Sequence, residues 1–101
     1  MTEQEPSPIE KSAVVESLRS DPENLELFLA WLLRREVEVD LENSSTSTLR
    51  LNIEVAEIYR DAGLRQEALS AFLDALEQAS QERNAEAYAQ LLKEVEKLES
   101  L

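Results

Sequence analysis

The chain has 101 residues, a formal net charge of −12, no histidine, no cysteine and a single glycine. Its length bounds it to one domain with a small core. Its composition excludes disulfides and thiol chemistry, removes the usual bases, nucleophiles and soft metal ligands, and leaves no glycine-rich phosphate loop.

Abundant Leu, Ala and Glu, with one Gly and three Pro, predict an all-α fold. Residues 1–6 are polar and predict a disordered tail ahead of a single helical domain over 7–101. The opening MTEQEPSPIE has neither the basic nor the apolar region of a secretory leader. Ser7-Pro8-Ile9-Glu10 then reads as a helix start: Ser7 caps, Pro8 takes the first helical position, and Glu10 completes a capping box. The first helix is expected over 8–19, with Ile9, Ala13, Val14 and Leu18 inward and Val15 beside them.

Asp21-Pro22 repeats that logic and predicts a second helix over 22–36. Its Leu25, Leu27, Phe28, Leu29, Ala30, Trp31, Leu32 and Leu33 wrap most of the circumference. A helix of this kind is either central to a fold or shared with a partner chain. Trp31 reads more readily as core than as an interface anchor. Arg34 and Arg35 suit the last turn, where positive charge meets the helix dipole. Residues 36–41 alternate acid with aliphatic, but the run is too short and charged to carry a sheet. Residues 38–48 are expected to form a long connection ending in the polar run Asn43-Ser44-Ser45-Thr46-Ser47-Thr48. Glu36, Glu38, Asp40 and Glu42 lack the glycine and spacing of a calcium loop, and neither a metal nor a cofactor site is expected.

The third helix is predicted over 48–62 with Ser47 or Thr48 as its cap, and the fourth over 65–79. Gly63 stands where the third must stop and turn, the position at which a left-handed residue favours glycine. Leu51, Val55, Ile58 and Ala62 make one stripe on the third helix, extended by Ala56 and Tyr59. Ala68, Phe72, Ala75 and Ala79 make the facing stripe on the fourth, widened by Leu69, Leu73 and Leu76. The alanines allow two backbones to approach closely. A last helix over 84–99, with Tyr88, Leu91, Leu92, Val95 and Leu98 on its seam, follows or continues the fourth. The architecture is thus an antiparallel array of five helices, or four if the last two fuse.

Ala56, Tyr59, Gly63, Ala68, Phe72 and Ala75 fall in a register that resembles one tetratricopeptide repeat over residues 49–80. Asn52, Val55 and Ser80 depart from the family pattern, which has tryptophan, leucine and proline there. The resemblance implies that the last helix caps the repeat. It also implies a concave groove bearing Arg50, Ile53, Glu57, Arg60 and Asp61. Ile53 and Glu57 replace residues with which the family clamps acidic peptide termini. The implied ligand is therefore a protein or peptide segment with basic and apolar residues.

The expected function is a small acidic protein–protein adaptor without catalytic activity, resident in the cytoplasm. A charge of −12 repels nucleic acid and anionic membrane, so neither is expected as a partner. Two other readings stay open. One is a self-assembling homodimer that shares its second helix. The other is an acidic nucleic-acid mimic.

Overall fold

The computed structural model describes residues 9–42 and 45–100. They form five helices and no strand: α1 Lys11–Ser20, α2 Glu26–Glu42, α3 Ser45–Asp61, α4 Arg65–Gln81 and α5 Ala85–Glu99. The all-α, five-helix array expected from composition is therefore present. The expected tail at 1–6, Ser7, Pro8, and Asn43-Ser44 of the connection lie outside the described residues.

α1 begins at Lys11, so Glu10 precedes the first turn instead of completing a capping box inside it, and its side chain makes no cap bond. Val14 and Leu18 are fully buried, and Ile9 and Val15 pack beside them. Ala13, expected inward, faces solvent.

The start of α2 differs from expectation by four residues. Asp21 and Pro22 build a turn instead of a helix start. The Asp21 carboxylate accepts from the Glu23 amide at 3.2 Å, and its carbonyl accepts from the Asn24 amide at 3.0 Å. The Asn24 side chain then accepts from the Glu26 amide at 3.2 Å, where the helix begins. Short polar side chains that bond nearby amides hold the backbone out of helix until a cap is reached.

α2 also runs six residues past its expected end. The alternating run 36–41 is helical because Val39 enters the core beside Leu51 and Arg35 reaches Glu54 on α3 at 3.0 Å. Most of the expected 38–48 loop is thus helix. Ser47 and Thr48 sit inside the first turn of α3 rather than capping it, and the Ser47 hydroxyl donates to Glu42 at the end of α2.

Two connections follow one plan. After α3, the Gly63 amide donates to the Arg60 carbonyl and the Leu64 amide to the Tyr59 carbonyl. After α4, Arg83 donates to Ser80 and Asn84 to Ala79 in the same pattern. Each is a Schellman ending, and each needs one residue at positive φ: Gly63 at 81° and Arg83 at 58°. Asn84 then caps α5, its side chain accepting from the Ala87 amide at 3.1 Å. α4 and α5 are therefore separate helices.

Successive helices run antiparallel. Asn52 meets Gln78 across α3 and α4, the Arg65 guanidinium donates to the Leu98 carbonyl across α4 and α5, and Arg35 meets Glu54 across α2 and α3. The Cα trace spans 47 × 33 × 16 Å, a slab about two helix layers thick. α3 lies between two cores. On one side Ala56 and Leu49 pack with Ala68, Phe72, Ala75 and Ala79 of α4 and with Leu91, Val95 and Leu98 of α5. On the other, Leu51, Ile58 and Ala62 pack with Val14, Leu18, Phe28, Trp31 and Val39 of α1 and α2. Tyr59 touches both cores, its ring 5.4 Å from that of Phe28. Trp31 is core, stacked 6.2 Å from Phe28.

Candidate protein-docking surfaces

A slab of two helix layers leaves the outer side of every helix in water, and α2 is the helix least suited to that. Its buried face carries Phe28, Trp31 and Val39. Leu25, just before the helix, and Leu29, Leu33, Val37 and Leu41 along it are exposed by 40, 48, 63, 59 and 82%. These residues recur every four positions. On a helix of 3.6 residues per turn each step advances about 40°, so the row winds about 160° around the axis, and Leu29, Leu33 and Val37, within about 80°, form the ridge that faces away from the core. Together the five leave the equivalent of about three aliphatic side chains in water, which is ~5–9 kcal/mol of burial not realised within the chain. Isolated exposed leucines are ordinary, but a contiguous row of five is not.

The ridge has charged borders. Glu26 and Arg34 lie along one side, with Glu36 and Asp40 along the other, all exposed. Arg35 turns inward and holds Glu38 and Glu54. Its hydrogen bond to the Glu38 carboxylate is the largest influence on its pKa and raises it. Burial works against this, and Glu54 adds to the rise. Glu36 and Asp40 border a recess of about 400 Å³ between α2 and α3, whose apolar walls are Val39 and Leu51.

The groove implied for α3 has a different character. Ile53 and Glu57 line a cleft of about 220 Å³ between α3 and α5, with Phe72 and Leu91 in its apolar wall and Lys93 and Lys97 at its edge. Arg60 sends its guanidinium across to Glu94 of α5 at 3.0 Å and also binds Asp61 at 2.9 Å. Burial lowers the Arg60 pKa, but hydrogen bonds and charge from Asp61 and Glu94 outweigh it and the net shift is upward. Glu57 is paired with Lys11 of α1 at 2.9 Å. Asp61 borders a separate recess between α1 and the end of α3, where its carbonyl accepts from Arg19. Arg50 is exposed and lines neither recess. The structure thus brings Ile53 and Glu57 together in one cleft, sets Arg60 beside it, and leaves Arg50 and Asp61 outside. Three of the four charged members are engaged within the chain.

The ridge is what the sequence reading did not single out. An all-round apolar helix gives no period from which to tell the buried side from the open one. The i, i+4 recurrence of Leu25, Leu29, Leu33, Val37 and Leu41 was the available signal, and the early stop expected at 36 cut it short.

Among the described residues, no group of three or more carboxylates is gathered to hold a metal ion, and no helix is long and apolar enough to cross a membrane. Glu36, Glu38, Asp40 and Glu42 are spread around a helix instead of converging. No protein-family model matches this chain, and no match is found among curated proteins or solved structures.

Proposed function

We propose that this chain is a non-catalytic protein-interaction module that docks its partner on the outer face of α2. The observation that carries this reading is the exposed apolar ridge of Leu29, Leu33 and Val37, on a helix whose opposite face already fills the core. Helices bind grooves and other helices through such i, i+4 rows, and a row left open is a docking surface awaiting its complement. The scarcity of nucleophiles and bases in the sequence supports a binding role over a catalytic one. A tetratricopeptide-like adaptor in the cytoplasm remains compatible with the α3–α4 hairpin and its glycine turn.

The test is the elution of the chain from extracts of its native cells. The wild type is expected in a complex well above its own 11.5 kDa, and Leu33→Glu at the free monomer position. If Leu33→Glu elutes with the complex while Ile53→Glu does not, the α3 groove is the docking face instead. That second reading, with Arg50, Ile53, Glu57, Arg60 and Asp61 as contacts, is favoured by one observation: the apolar-walled cleft between α3 and α5.

A further inference from the structure

Resting on that docking face, the geometry points to its occupant: a basic amphipathic helix from a different protein, not a second copy of this chain. The argument starts from shape. The ridge is an i±4n row, and such rows pack into the grooves of a partner helix at a crossing angle of about −50°. The crossing centres on Leu33, with Leu29 and Val37 to either side. The occupant therefore presents its own apolar row to these three.

Charge then decides between occupants. Self-association would double a net charge of −12 across the contact. In an antiparallel pair related by a two-fold axis at Leu33, each border of the ridge returns beside itself. Arg34 would lie beside the Arg34 of the copy and Glu36 within about 9 Å, along the axis, of its own, whereas the two Asp40 residues would stand about 21 Å apart. A foreign helix with lysine or arginine beside its apolar row meets the Glu36 and Asp40 border with opposite charge.

The recess between α2 and α3 supplies the specific contact. Val39 and Leu51 give its wall an apolar lining, and Glu36 and Asp40 stand at its lip without an ion pair among the described residues. A long basic side chain lays its methylene stem on such a wall and places its charged head at the carboxylates. Glu38, by contrast, is held by Arg35.

The experiment uses the full chain and three labelled, helix-stapled peptides in fluorescence anisotropy at physiological salt. The first has a leucine row at i, i+4 with lysine borders. The second keeps the row and changes the borders to glutamate. The third keeps the lysines and changes the row to serine. The lysine-bordered peptide is expected to bind, the glutamate-bordered one at least tenfold more weakly, and the serine-row one not measurably. Leu33→Glu abolishes binding of the first peptide. The double change Glu36→Gln with Asp40→Asn weakens it several-fold and flattens its salt dependence. Val37→Gln gives the same reading as Leu33→Glu should the latter fold poorly. Equal binding of the two leucine-row peptides overturns the proposal while leaving the face intact. So does a stable dimer in light scattering that Leu33→Glu splits. Binding of the lysine peptide that ignores both ridge substitutions overturns the proposal and the face together.

Discussion

Arg83 holds the backbone position after α4 that Gly63 holds after α3. Each donates its amide to the carbonyl three residues back, the next residue donates five back, and both lie at positive φ. A side chain in that region is strained by about 1 kcal/mol or more, whereas glycine is not. Arg83→Gly is therefore expected to stabilise the chain by about 0.5–1 kcal/mol, after the greater freedom of glycine in the unfolded chain is counted. Gly63→Ala is expected to destabilise it by about 1–2 kcal/mol. A Cβ at Gly63 meets nothing within 4 Å, so the loss would come from the backbone alone. Urea unfolding of both variants checks the pair.

Tyr59 is the one aromatic that touches both cores. Its pKa is raised from 10.0, first by burial and second by Glu67. A raised acid favours the folded state while it stays protonated. Its contribution is complete below the unfolded value and is lost as pH rises through the folded one. Stability is expected to fall above pH 10, and Tyr59→Phe to fall less steeply over that same range. Unfolding curves of the two proteins at stepped alkaline pH make the comparison.

The Arg60–Glu94 bridge ties α3 to α5 across the cleft, and both side chains are about two-thirds buried. Arg60→Ala is expected to cost about 1 kcal/mol, and Arg60→Glu more, because a third carboxylate then stands beside Glu94 and Asp61. Thermal unfolding of both variants reads this. A change in partner binding by Arg60 variants must accordingly be read beside their stability.

Ala75 is fully buried where α4 packs on α3 and α5. Ala75→Leu is expected to cost about 1–3 kcal/mol through overpacking, and Phe72→Ala about 3–5 kcal/mol through the cavity it leaves. Calorimetry of both variants tests whether that hairpin is as tightly packed as its alanines imply.

The hairpin was legible because two strong signals agreed: a lone glycine at a turn, and Ala68, Phe72, Ala75 and Ala79 at helical spacing. Each of those four side chains is at most 1% exposed. The limits of α2 were not legible. Asp21-Pro22 carries the residue types of a helix start but spends them on a turn, and only Asn24 marks the true beginning. Its end was hidden because 36–41 looks polar until Val39 and Arg35 find α3. Arg83 gave no sign of its positive φ, since tertiary context, not residue type, imposes it. The implied groove was legible only in part. The sequence placed Ile53 and Glu57 on one face, but not the ion pairs that occupy Glu57, Arg60 and Asp61.

The ridge faces water, so its polar substitution leaves the fold intact: Leu33→Glu is expected to change unfolding stability by less than about 0.5 kcal/mol. The direct test of the docking face is a photo-crosslinking scan in native cells, with one photoreactive residue at a time at 29, 30, 33, 37, 38, 53 and 90. Adducts are expected to peak at 29, 33 and 37, with a dip at 30 and 38. Adducts that instead peak at 53 and 90, or that show no four-residue period along α2, would contradict it.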